Sequence, residues 1–127
     1  MHGSCLCGAV SFTVTGEPAA FYLCHCSRCR KGSGSAHAAN LFVPGGQIAW
    51  SGGPRAHYAV PESRHQRCFC PTCGSALPVE ATDLLVIPAG ALDTPVALRP
   101  TAHICCADRA EWDYDLNDVP NLPGLPG

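Results

Sequence analysis

Cys70-Pro71-Thr72-Cys73-Gly74, read with Cys5-Leu6-Cys7-Gly8 from the other end of the chain, decides how this sequence folds. Two thiols separated by two residues can grip one ion across a tight turn. The proline presets that turn, and the glycine after the second cysteine permits a positive φ. A zinc ion takes four soft ligands in a tetrahedron, with Zn–S bonds of about 2.3 Å. Cys70 and Cys73 supply two ligands. Cys5 and Cys7, alternate residues on a strand, face the same way and supply the other two. The competing reading is four buried free thiols, since cysteine is a small hydrophobe. Four thiols at ligand-type spacing favour chelation instead. A closed zinc site contributes ~10–16 kcal/mol, against a whole-domain stability of ~5–15 kcal/mol. The metal alone can therefore decide whether the chain folds.

A second cluster, Cys24-His25-Cys26-Ser27-Arg28-Cys29-Arg30-Lys31, holds three cysteines within six residues. Three thiolates leave a fourth tetrahedral position open, the arrangement of a catalytic rather than a closed zinc. Water, hydroxide or a substrate thiolate can fill it. Arg28, Arg30, Lys31 and a nearby helix N-terminus favour thiolates there. Two other readings stay open. His25 or a distant histidine such as His37 can complete a second structural site, or Cys26 and Cys29 can serve as a metal-free redox dithiol. His25 itself reads as a polar neighbour pointing away from the metal, because adjacent strand residues face opposite sides. Of the remaining cysteines, Cys68 shares strand parity with Cys70, and Cys105 and Cys106 read as two small buried residues.

All ten cysteines lie in a chain of 127 residues, a length that fits one domain. Many cysteines mean either disulfides in an oxidising compartment or metal in a reducing one. Met1-His2-Gly3-Ser4 carries neither the basic segment nor the apolar run of a leader, so a cytoplasmic, metal-bound state is expected. No stretch approaches the ~18–20 apolar residues of a membrane span. With a net charge of −2, nothing draws the chain to nucleic acid or to an anionic membrane.

Short strands and turns dominate the rest. Val10, Phe12 and Val14 alternate with Ser11, Thr13 and Thr15, the period-two pattern of a half-buried strand. Further strands are expected over 20–24, 36–43, 48–50, 55–60, 66–70, 76–79, 84–87 and 101–106. The segments 48–50 and 55–60 flank Ser51-Gly52-Gly53-Pro54 and read as a hairpin. Ser27 reads as the N-cap of one helical turn ending at Arg30 or Lys31, with Gly32-Ser33-Gly34-Ser35 as a flexible loop. The architecture is all-β, with at most short helical turns. Residues 1–119 form a single domain, and the Pro/Gly-rich tail 120–127 is expected to be poorly ordered.

With these motifs in order, the chain resembles the glutathione-dependent formaldehyde-activating enzyme family, whose relatives include centromere protein V. The resemblance runs through Gly3–Val10, Cys24–Lys31, the Gly32–Ala36 loop, Phe69–Ser75, Arg99-Pro100-Thr101-Ala102-His103-Ile104, Trp112 and Asp118-Val119-Pro120. It implies a zinc-stabilised β-tent of small antiparallel sheets and two zinc ions per chain. Cys5, Cys7, Cys70 and Cys73 would hold the structural ion, and Cys24, Cys26 and Cys29 the catalytic one. It further implies a carbon–sulfur lyase activity that joins glutathione, or a similar small thiol, to formaldehyde as an S-hydroxymethyl adduct. His25, His37 and Arg28 are candidates for proton transfer or anion binding. Where the family carries bulky or β-branched residues after the His-Ile pair, this chain has Cys105-Cys106. The alternative function is a non-enzymatic zinc module that binds a protein partner.

Overall fold

A computed structural model describes residues Met1 to Gly127. In chain order the elements are β1 (His2–Ser4), β2 (Val10–Thr15), β3 (Ala20–Cys24), α1 (Ser27–Ser33), β4 (Ala38–Pro44), β5 (Gln47–Gly52) and β6 (Ala56–Ala59). There follow β7 (Gln66–Phe69), β8 (Ala76–Leu77), β9 (Val79–Ala81), β10 (Leu84–Pro88) and β11 (Ala102–Ile104). Single 3-10 turns lie at Ala89–Ala91, Cys106–Asp108 and Leu116–Asp118. The chain is thus mainly β with one short helix, as the sequence predicts.

The strands form three small sheets, ordered β1-β2-β5, β11-β3-β4-β10-β9 and β6-β7-β8. The alternation in β2 does what its period dictates. Val10, Phe12 and Val14 are buried, and they meet Leu41 and Val43 of β4, Leu85 and Ile87 of β10, and Leu77 of β8 in one core. Burying each such side chain contributes about 1.5–3 kcal/mol. Only 18 of 127 residues are buried, so this core is thin and leaves room for a metal to matter. Cys5, Cys68 and Cys70 belong to the same cluster, which puts the first thiol set at the edge of the core. Gly3 is required by close approach. A Cβ there would stand 2.2 Å from the Phe12 ring and 2.5 Å from the Ala91 carbonyl.

Four expectations are corrected. The segments around Ser51-Gly52-Gly53-Pro54 do not form a hairpin: β5 pairs with β2, and β6 pairs with β7 in another sheet. The Gly53 N–H is bound to the Ala9 carbonyl at 2.7 Å, which ties the turn to the start of β2 and sends the chain onward. The pairing of β11 with β3 is parallel, while every other strand pair is antiparallel. The N-cap of α1 is Cys26, not Ser27. The helix also runs through Gly32 and Ser33, so only Gly34, in the left-handed conformation at φ 67°, and Ser35 remain of the expected loop. The tail 120–127 is exposed throughout and carries no strand or helix.

Candidate metal centres

The first thiol set is built from two tight turns, one closing over three residues and one over four, so Cys5 and Cys7 stand in a turn after β1 rather than on a strand as expected. The Gly8 N–H donates to the Cys5 carbonyl at 3.1 Å, and the Gly74 N–H donates to the Cys70 carbonyl at 2.8 Å. Both glycines are left-handed, at φ 80° and 77°, a region that costs a side-chain-bearing residue more. The Leu6 N–H donates to the Ser75 hydroxyl at 2.8 Å and locks one turn to the other. The Sγ atoms of Cys5, Cys7, Cys70 and Cys73 consequently lie within 4.8 Å of one another, with Cys5 and Cys7 at 3.6 Å and Cys7 and Cys70 at 3.8 Å.

The protons of this set are unevenly held. The Ser75 hydroxyl, 3.2 Å from the Cys73 sulfur, and the Ser75 N–H hold Cys73 down to about 5. The Val10 N–H, 3.3 Å from the Cys5 sulfur, holds Cys5 below the usual thiol range. The Ala9 N–H favours the Cys7 thiolate, but the competing thiols of Cys5, Cys73 and Cys70 push Cys7 up to about 11. Four converging sulfurs, two of them biased towards thiolate, fit a tetrahedral soft cation.

The second set forms where β3 runs into α1. The Sγ atoms of Cys24, Cys26 and Cys29 also lie within 4.8 Å of one another. Cys24 closes the strand, while the Cys29 N–H donates to the Cys26 sulfur at 3.3 Å, so the ligand cluster is also the helix cap. Burial opposes the Cys26 thiolate, but the Cys29 N–H and the neighbouring thiols outweigh it and lower this group. Burial raises both Cys24 and Cys29. The donor chemistry again fits a soft cation, here with three protein sulfurs.

The parallel pairing places Ile104 beside Cys24. Cys105 then turns left-handed at φ 56°, and its thiol, after burial, adds to what holds the Cys24 thiol above the usual range. Cys105 and Cys106 are both exposed, against the expectation of two small buried residues. The 3-10 turn that begins at Cys106 lifts them off the sheet. Cys68 lies in the core and in the wall of a cavity, outside both thiol sets.

His25 takes no part in the thiol triad. It is fully buried, and its Nε2 lies 2.8 Å from Nδ1 of His103. Its Nδ1 lies 3.4 Å from the Asp113 carboxylate. His37 packs its ring 5.1 Å from the His25 ring. His25, His37 and Asp113 approach one another closely enough to share an ion. The Arg109 guanidinium, however, stands 3.4 Å from His25 Nε2 and 3.9 Å from the Asp113 carboxylate. A fixed cation already supplies the positive charge, so this group reads as a buried clamp. Burial, then the charges of Arg109 and His37, hold the His25 imidazole below its ordinary range. Sequence reasoning missed Asp113 and Arg109, which sit in a segment without periodic pattern.

A cavity of about 280 Å³ opens beside the second set, with Cys29, Arg28 and His37 in its wall. Arg30 and Lys31, expected near the ligand site, do not line it. His65 and Arg67 do, although no local motif marked them.

A model of the family described as glutathione-dependent formaldehyde-activating enzyme matches residues 1–108. A Halomonas elongata protein, provisionally named as such an enzyme, is 33% identical over 123 residues, covering 88% of this chain and 78% of that protein. The crystal structure of a Rhodobacter sphaeroides protein superposes with a TM-score of 0.65 at 21% identity, over 81% of this chain and 99% of that one. That likeness concerns the fold.

Proposed function

Since this chain belongs to the glutathione-dependent formaldehyde-activating enzyme family, we propose that it is a zinc-dependent carbon–sulfur lyase that joins a small thiol to a small aldehyde. Glutathione and formaldehyde are the pair that the family name suggests. The structural zinc is assigned to Cys5, Cys7, Cys70 and Cys73, and the catalytic zinc to Cys24, Cys26 and Cys29, two ions per chain. Residues 1–119 form the zinc-binding domain, followed by the tail 120–127. No helix is long and apolar enough to cross a membrane. A chain that keeps seven thiols for metal suits a reducing compartment such as the cytoplasm.

The observation that carries the reading is the position of Cys29. It belongs to a set of three sulfurs, one short of a tetrahedron, and it also forms part of the cavity wall. A bound zinc would supply deprotonation of a coordinated thiol and polarisation of a carbonyl. The reaction then balances simply: a sulfur–carbon bond forms, and the carbonyl oxygen takes up the proton that the thiol gave. The chain's own residues shape that event. Cys24, Cys26 and Cys29 hold the reacting centre at the cavity edge. His37 lines the same cavity and is placed to hold or pass a proton there. The His25–His103–Arg109–Asp113 clamp fixes the loop that carries Cys24 and Cys26.

The test is exchange of 13C-formaldehyde with its glutathione adduct, followed by NMR on zinc-loaded protein. Wild type should accelerate exchange over the uncatalysed rate, and Cys26→Ser should not. Equal rates with both proteins, or no acceleration by wild type, would defeat the enzymatic reading in favour of a non-enzymatic zinc module.

A further inference from the structure

Cys105, which neither thiol set uses, is brought beside Cys24 by the backbone. β11 runs parallel to β3 with Ile104 opposite Cys24, and the His25 N–H donates to the Ile104 carbonyl at 2.9 Å. Cys105 is the next residue. A strand spacing of about 4.8 Å and a rise of about 3.3 Å per residue put its Cα about 6 Å from that of Cys24. Disulfides span Cα separations of about 4.4–6.8 Å.

The backbone also turns the side chain the right way. Had the strand continued, alternation would send Cys105 to the face opposite Ile104 and Cys24. Its φ is 56°, where a parallel strand has about −120°. That difference swings Cβ through nearly half a turn about the N–Cα bond, back to the side of Cys24. The Cys105 thiol accordingly contributes, after burial, to raising Cys24. Cys105 is exposed and Cys24 half-buried, while Cys26 and Cys29 are buried. Cys24 is therefore the triad sulfur most open to attack. Cys105 is not one of the three sulfurs that lie within 4.8 Å of one another, so it meets the triad at Cys24 rather than belonging to it. Cys106 is engaged elsewhere, where an Arg109 N–H donates to its sulfur at 3.9 Å.

We infer that Cys105 is a thiol-oxidation site whose disulfide partner is Cys24, so that a peroxide empties the second metal centre and a reducing thiol restores it. The inference rests on the proposed role of Cys24, Cys26 and Cys29 as metal ligands. Hydrogen peroxide converts the Cys105 thiol to a sulfenic acid and is released as one water. The Cys24 thiolate attacks that sulfur. The S–S bond forms, the S–O bond breaks, and the hydroxide that leaves takes up a proton as a second water. Each sulfur has given up one electron, and the peroxide has taken both. With Cys24 withdrawn, two sulfurs remain, half of a tetrahedral set. A thiol reductant reverses the change through a mixed disulfide, and a second thiol molecule then carries the bond away as the reductant's own disulfide.

The experiment treats full-length, zinc-loaded protein with hydrogen peroxide. A colorimetric chelator reads the zinc released, and peptide mass spectrometry without reduction maps the disulfides. Wild type should release one of its two zinc ions and yield a peptide linked through Cys24 and Cys105. Dithiothreitol with added zinc should restore the original content. Cys105→Ser should keep its zinc at the exposure that empties wild type, and Cys106→Ser should behave as wild type does. Both positions are exposed, so both variants should fold. Zinc loss from Cys105→Ser equal to that of wild type, protection by Cys106→Ser, or a map without the Cys24–Cys105 peptide would each overturn the oxidation site. If that peptide forms in a protein that carries one zinc before treatment and the same zinc after it, the ligand role of Cys24, Cys26 and Cys29 falls and the oxidation site stands.

Discussion

His25 and His103, 78 residues apart in sequence, share a 2.8 Å contact between Nε2 and Nδ1 that joins a fully buried imidazole to an exposed one. The parallel pairing of β3 with β11 puts them there, because His103 is in register with Leu23 and the His25 N–H continues the ladder to the Ile104 carbonyl at 2.9 Å. The contact ties the thiol-bearing loop to the C-terminal segment that carries Arg109 and Asp113.

His103→Ala should therefore destabilise the protein by about 1–3 kcal/mol, because a fully buried imidazole loses a partner. Its effect on metal should be selective. The second ion should become easier to remove with a chelator, while the first, held by turns at residues 5–8 and 70–74, should not. Thermal melting and metal analysis after graded chelation would check both. Unchanged retention of the second ion would show that the clamp does not support the triad.

The two thiol sets should respond differently to loss of a ligand. Cys73→Ser removes the thiol best disposed to ionise, held down to about 5 by Ser75, and should abolish soluble folding. Cys26→Ser should give a folded protein carrying one zinc instead of two, by native mass spectrometry. Comparable loss of folding in both variants would make both sites structural.

Gly3→Ala should cost about 1–3 kcal/mol, as forced overpacking does. The added methyl would meet the Phe12 ring at 2.2 Å and the Ala91 carbonyl at 2.5 Å, and the carbonyl is backbone. Gly90→Ala, where nothing lies within 4 Å, is the matched control. A comparison of denaturant midpoints would show whether only the first variant falls.

His65 should titrate below the ordinary imidazole value of 6.5, because burial and then the charges of Arg28 and Arg67 disfavour its protonated form. The sign follows from linkage. Between its folded value and 6.5 the unfolded chain binds more protons, so this residue's contribution to stability is complete above 6.5 and declines as pH falls through that window. Arg28→Gln should move the His65 titration upward in NMR. No movement would mean that the arginine charge does not reach the imidazole.

Much of this protein is legible locally. The spacing of Cys5 and Cys7, of Cys24, Cys26 and Cys29, and of Cys70 and Cys73 fixes which thiols can chelate together, because a turn or strand end spans only a few ångströms. Glycine after Cys73 predicted the left-handed turn found at Gly74, whereas the like turn at Gly8 went unpredicted because Cys5 and Cys7 read as strand residues. Alternation predicted which face of β2 is buried. The N-cap of α1 escaped prediction because a cysteine took the place that Ser27 was expected to fill. Its sulfur accepts the Cys29 N–H, the role expected of a hydroxyl.

What the sequence by itself determined is what neighbours within a few residues set: most of the strands, the mainly β class and the short thiol motifs 5/7, 24/26/29 and 70/73, whereas β1 was not foreseen and the expected strand 76–79 is divided between two sheets. Tertiary structure decided which strands pair, since the hydrogen-bonding edges of short strands are alike and only the packing of the three sheets selects among them. It separated β5 from β6 and laid β11 parallel to β3. It also gathered Arg28, His65 and Arg67 around one cavity and Arg109 and Asp113 around His25. Single charged residues carry no period and no spacing, so only the folded backbone can bring them to one point.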